Sequence, residues 1–221
     1  MRIQLPVRLF LMLAGWLFAG SVWAAPTVLV WGDSLSAGYG VDTRSGWVDL
    51  LARKLRTQAD TSLKTWNVVN GSVSGETTAG GLARLPAALA RHKPNVVLLE
   101  LGANDGLRGL DLQQMRVNLE KMSDLVLAAG AKPVVFEMRI PNNYGPVFTE
   151  RFRRAFADVA KAKQAPLMPF FLASIAEDRP RWFQDDGIHP RTEAQPQILD
   201  AVWPTLSPLL RAAASSGSSK P

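Results

Sequence analysis

The chain has 221 residues, 47% of them hydrophobic and 20% charged, which suits one globular domain with a sizeable core and excludes a disordered polar chain. It contains no cysteine, so disulfides, a thiolate nucleophile and cysteine-ligated metals are all excluded. A formal charge of +6 is spread among acids and bases rather than gathered in one basic run, so nucleic acid is not an expected partner.

Residues 1–24 stand apart from the rest. Arg2 and Arg8 give a basic start, Leu9 to Gly20 an apolar run, and Val22-Trp23-Ala24 a small-residue cleavage pattern, together the signature of a removed signal peptide. The apolar run falls short of the roughly 20 residues that a bilayer span needs. Loss of residues 1–24 removes two arginines and no acids, which lowers the charge to +4. The expectation is a periplasmic or secreted monomer with no stable membrane insertion.

Beyond residue 24, short apolar runs alternate with amphipathic stretches. Val28–Trp31, Trp66–Val69, Val96–Leu101, Val134–Met138 and Leu167–Phe171 read as five strands. Trp47–Arg56, Leu82–Arg91, Leu112–Ala129, Phe148–Lys163 and Gln195–Leu210 read as helices. Asp111 with Gln114 suggests a capping box, and Gly130 followed by Pro133 a helix stop. Strands without strict alternation are buried on both faces, so the pattern predicts an α/β fold, a three-layer αβα domain over residues 25–211 with a five-stranded parallel sheet. Residues 212–221, "AAASSGSSKP", lack periodicity and read as a disordered tail.

Ligands of an open parallel sheet gather beyond the carboxyl ends of its strands. There the first strand delivers Gly32-Asp33-Ser34, the second Asn70 to Glu76, the third Gly102 to Gly106, and a fourth cluster, Asp185 to Pro190, precedes the last helix. A serine hydroxyl attacks only when a neighbour takes its proton, and the chain has just two histidines. His92 stands among cations at a helix end, where a solvated role suffices. His189 follows Asp186 by three residues, close enough for the carboxylate to hold one ring nitrogen and leave the other facing outward, so that Ser34 can attack while His189 accepts and returns its proton. Asp185 is the rival carboxylate. The Ser34 amide, the Gly75 amide and the Asn104 side chain are candidate donors to an oxyanion, although Gly75 and the Asn104 loop would each also serve as plain turns. Walls for a substrate are sought in Leu107–Leu110 and in Ile140–Phe148, with Leu107, Leu110 and Tyr144 as candidate substrate-binding residues. The chemistry calls for no metal and no cofactor.

The blocks "GDSLS", "NGSVSGETT", "LGANDG" and "DGIHP", in this order and spacing, resemble those of the SGNH (GDSL-type) hydrolases. The likeness runs from about Thr27 to Leu210 and includes "GLARLPAAL", "NNYG" and "PLMPFF"; it is greatest to the bacterial periplasmic thioesterases, lysophospholipases and arylesterases of that family. The resemblance implies a flavodoxin-like fold with Ser34 as nucleophile, Gly75 and Asn104 in the oxyanion hole, and Asp186 and His189 completing the set. Ser36 replaces the second glycine of the Gly-x-Ser-x-Gly elbow, which argues against an α/β-hydrolase. The implied substrates are small esters or thioesters with apolar acyl or aryl groups. Carbohydrate O-deacetylation on the same scaffold and a non-catalytic lipid-binding module are the alternatives.

Overall fold

A computed structural model describes residues 25–217. The expected signal peptide at 1–24 and the last four residues, 218–221, lie outside the described residues. Strands β1 (Thr27–Gly32), β2 (Asn67–Asn70), β3 (Val96–Glu100), β4 (Lys132–Phe136) and β5 (Leu167–Met168) form one parallel sheet in the order β2-β1-β3-β4-β5. The chain therefore starts near the middle, winds to one edge and returns to build the other. The order reverses between β1 and β3, so the crevice forms beyond the carboxyl ends of these strands.

Between the strands lie α1 (Ser34–Ala37), α2 (Trp47–Arg56), α3 (Thr61–Lys64), α4 (Thr78–His92), α5 (Ala103–Leu107), α6 (Leu112–Ala128), α7 (Pro146–Ala162), α8 (Arg179–Trp182) and α9 (Gln195–Gly217). Helices α2, α3 and α9 pack together on one side of the sheet, and α4, α6 and α7 on the other. Every residue of β1 and β3 is buried, as a sheet covered on both faces requires. On one face Phe136 meets Trp47 and Phe171 at ring separations of 6.2 and 5.3 Å. On the other Phe152 meets Phe156 edge-on at 5.1 Å. Truncating any of these rings to alanine costs about 3–5 kcal/mol.

Helix α2 has the expected bounds because Trp47, Val48, Leu51 and Leu55 form one apolar stripe, with Arg53, Lys54 and Arg56 in the last turn. Asp111 caps α6 by accepting from the Gln113 amide at 2.8 Å, but Gln114 bonds Asn118 rather than closing a capping box. Strand β4 tolerates Pro133 for a geometric reason. The amides of Val135 and Glu137 donate toward the β5 edge, to Pro166 and Met168 carbonyls at 3.0 and 2.9 Å, and residue 133 faces the same edge before β5 begins. Pro169 in turn stops β5 after Met168, short of the expected Phe171. The tail expectation is corrected over residues 212–217. They continue α9, whose Ala213 and Ala214 pack on the core. Alanine loses no side-chain freedom in a helix, so a little contact suffices.

Candidate active site

Strand β1 ends at Gly32, and Asp33 caps the short α1 by accepting from the Leu35 amide at 3.0 Å. This turn presents Ser34 in the first helical position, where an amide has no acceptor within the helix. The cluster before α9 is a closed loop. Phe183 and Pro190 bridge its stem, the Gln184 amide donates to the His189 carbonyl at 2.8 Å, and Gly187 makes the turn with a φ of +65°. The Gln184 side chain donates to the Tyr39 carbonyl at 2.9 Å, which fastens this loop to the segment after α1.

The loop and the serine meet across 155 residues of sequence. His189 Nε2 lies 2.8 Å from Ser34 Oγ, and His189 Nδ1 lies 2.6 Å from Asp186 Oδ2. Asp186 Oδ1 also accepts from the amides of Ile188 and His189 at 2.8 and 3.0 Å. A carboxylate accepts only, so Nδ1 carries the ring proton and Nε2 is left to accept from the serine. The ring of Tyr39 leans on the imidazole at 4.5 Å. Burial opposes the Asp186 charge, but the hydrogen bonds from the His189 ring and from both amides outweigh it and hold the carboxyl at about 2. The rival Asp185 is fully exposed and pairs with Arg191 at 2.9 Å, away from the ring. His92 ends α4 just before β3 begins at Val96, at the amino-terminal end of the strands, whereas Ser34 follows the carboxyl end of β1.

The loops that carry the candidate oxyanion donors are tied to the Ser34 turn: the Val73 amide donates to the Gly32 carbonyl at 3.1 Å, and Asn104 bonds Asp33. Gly75 takes a φ of +77°, which favours glycine, and its carbonyl accepts from Arg108 Nη2 at 3.0 Å. Asn104, in the first turn of α5, donates one Nδ2 hydrogen to Asp33 Oδ2 at 3.1 Å, which leaves the other free. Asp105 anchors this turn: its carboxylate accepts from the Thr78 amide at 2.9 Å and the Thr78 hydroxyl at 2.6 Å. Among the described residues no cluster of three or more His, Asp or Glu side chains could hold a metal ion.

Beside Ser34 opens a groove of about 510 Å³, lined chiefly by Leu35, Leu107, Met138, Ile140, Phe170 and Leu172, with Arg139 and Arg179 in its walls. Leu107 is thus where a substrate wall was sought. Leu110 and Tyr144 do not line the groove; Leu110 projects into solvent, and the Tyr144 hydroxyl donates to the Leu107 carbonyl at 2.8 Å. Met138 and Phe170 come from segments that sequence reading treated as strand ends, and Leu172 directly follows the expected fifth strand. Sequence reading also left Asp33 and Glu100 without roles, although a lone acid closing the apolar run "VVLLE" was a visible break in pattern.

Comparison with known proteins identifies the family. The GDSL-like lipase/acylhydrolase family pattern matches residues 30–195. The chain is 48% identical over 187 residues to the esterase TesA of Pseudomonas aeruginosa, covering 85% of this chain and 90% of that protein. It is 44% identical over the same length to the thioesterase 1/protease 1/lysophospholipase L1 of Escherichia coli, covering 85% and 86% of the two chains. The crystal structure of the psychrotrophic esterase EstA from Pseudoalteromonas sp., inhibited by monoethylphosphonate, superposes with a TM-score of 0.78 at 40% identity, covering 83% of this chain and 98% of that one. The chain belongs to the GDSL-like lipase/acylhydrolase family.

Proposed function

We propose that the chain is a serine esterase and thioesterase that releases apolar acyl groups by two-step acyl transfer. The observation that carries this reading is the unbroken hydrogen-bonded line from Ser34 through His189 to Asp186. Ser34 Oγ attacks the substrate carbonyl while His189 Nε2 takes its proton, and Asp186 stabilises the imidazolium that results. The oxyanion receives hydrogen bonds from the Ser34 and Gly75 amides and the Asn104 side chain, each typically worth about 3 kcal/mol in such a site. Collapse expels the alcohol or thiol, protonated by His189, and leaves Ser34 acylated. Water, deprotonated by the same imidazole, then frees the acid.

The mostly apolar groove supports an acyl or aryl chain rather than an acetylated sugar, which would call for a polar cleft. Aryl esters, acyl thioesters and lysophospholipids share the same tetrahedral intermediate, so the groove rather than the serine discriminates among them. Export after loss of residues 1–24 is part of the reading, supported by the basic start and short apolar run. The test is Ser34→Ala assayed against aryl esters, acyl-CoAs and lysophospholipids of graded chain length. Turnover of all three should fall by orders of magnitude with the fold intact by circular dichroism; a variant that still turns over would overturn the proposal.

A further inference from the structure

The turn carrying Ser34 rests on two buried acids that acyl transfer does not use directly. Glu100 closes β3 and is wholly buried. Its Oε2 accepts from the Ser36 hydroxyl at 2.5 Å and from the Asp33 amide at 3.3 Å, while the buried Oε1 accepts from no donor among the described residues. Strand pairing sets Gly32 beside Glu100, and a Cβ on Gly32 would lie 2.3 Å from Oε2. The glycine that precedes Asp33-Ser34 is thus the space that Glu100 occupies. Asp33, 1% exposed, accepts from the Leu35 amide and from Asn104 Nδ2, and its carboxyl is within hydrogen-bonding reach of that of Glu100.

Two adjoining carboxyls out of water do not both ionise. The groups that face Asp33 are Glu100 from β3, His189 from the catalytic loop, and Asn104 and Asp105 from α5; those that face Glu100 are Asp33 and Ser36. Burial, and then the charge of Asp33, push Glu100 well above the usual carboxylate range. Burial also raises Asp33, but the Leu35 amide, the His189 charge and the Asn104 amide hold it to about 6. Near neutral pH the proton therefore sits on Glu100 and the charge on Asp33.

Taking the serine-esterase reading as given, we propose that Glu100 and Asp33 share one proton as a positioning pair. Glu100 is a neutral acid donating to Asp33, and the Asp33 carboxylate holds Asn104 with its free N–H toward the oxyanion and steadies the His189 cation. The chemistry of the partners selects this arrangement. Donors from Leu35, Asn104 and Glu100 converge on Asp33, and only a carboxylate accepts from all of them. Because it accepts only, it selects the NH₂ end of Asn104 and turns the amide oxygen away.

The test measures kcat and KM on an aryl ester across pH for Glu100→Gln, Glu100→Leu, Asp33→Asn and Ser34→Ala, each in the whole protein. Glutamine can donate to Asp33 and accept from Ser36, so Glu100→Gln should keep kcat within about threefold, whereas Glu100→Leu, of similar size, should lose roughly 10- to 100-fold. Asp33→Asn should lose about 100-fold in kcat with KM little changed, and the acidic limb of its profile should move to lower pH by roughly half a unit or more, because the imidazolium loses a neighbouring negative charge. If Glu100→Gln is folded and as poor as Glu100→Leu, or if Asp33→Asn keeps its rate and profile, the proton-sharing pair is overturned. Should Glu100→Leu not fold, the near-isosteric Gln and Asn variants decide. An active Ser34→Ala would instead overturn the esterase reading itself, so the two failures are distinguishable.

Discussion

The two adjacent aspartates before His189 offer the sharpest single-atom comparison. In Asp186→Asn the amides of Ile188 and His189 still require an oxygen, so the side-chain NH₂ turns toward the ring. Nδ1 must then accept, and the ring proton moves to Nε2, where it points at Ser34 and blocks the base. The lost charge adds to this. Unit charges about 4 Å apart attract by about 4 kcal/mol at an effective dielectric near 20. The Asp186 side chain is 39% exposed, and discounting for screening leaves roughly 2–3 kcal/mol. At about 1.4 kcal/mol per decade, that is roughly 30- to 150-fold in kcat, and the wrong tautomer extends the loss toward about 10⁴. Asp185→Asn breaks only a surface ion pair with Arg191 and should stay within about twofold of the parent rate. Steady-state assays with an aryl ester, with unfolding midpoints as a folding control, measure both. Equal losses in the two variants, or an Asp186→Asn enzyme retaining a large part of its kcat, would refute the reasoning.

The groove, whose lining also includes Ala176, should set chain-length preference: Ala176→Phe should lower kcat/KM on long acyl esters roughly tenfold or more relative to short ones, and Leu107→Ala should shift the preference while Leu110→Ala does not. Equal changes on short and long esters would remove the groove from the account. Turnover should rise with pH along an acidic limb, since only neutral imidazole accepts the serine proton; a profile flat from about pH 5 to 9 would contradict His189 as base, and His92→Gln should leave the profile unchanged. Stability should respond to Glu100 in a defined direction. Its native proton affinity is raised above the unfolded value, so its favourable contribution is complete at low pH and is lost as pH rises through the native value. Thermal midpoints of Glu100→Gln should therefore gain on the parent protein as pH increases, and a constant difference would contradict the burial of that proton.

Much of this was legible because burial and chemistry leave marks at fixed spacing. The fully covered β1 and β3 read as unbroken apolar runs, and the Trp47 stripe fixed both ends of α2. Ser34, Asp186 and His189 stood out because the chain offers so few bases and because polar residues at strand ends have few structural reasons to cluster. What escaped depends on neighbours distant in sequence. Helix α4 begins at Thr78, earlier than periodicity predicts, since Gly80 and Gly81 dilute the helical signal that the Thr77 cap restores. The groove walls at Met138 and Phe170 follow from where β4 and β5 stop, which the pairing of edge strands decides. Glu100 reads as a strand-end acid until the register places it against Gly32 and Asp33. Leu110 and Tyr144 are apolar or aromatic in flexible loops, and nothing in such a loop's sequence says which side chain faces inward.

All the strands are complete by Met168, yet the imidazole comes from residue 189, on a loop stapled to the rest through Gln184 and Tyr39 and followed at once by α9, which covers α2 and α3. A chain interrupted after β5 would keep its nucleophile but have no base, and would also lose the buried Ile198, Val202, Leu206 and Leu210 that cover this side of the sheet. Catalytic onset thus requires the C-terminal segment to be in place, and because the Trp47 amide donates to Gln195 at the start of α9 at 3.0 Å, a refolding experiment should see ester turnover return no earlier than the burial of that segment against α2.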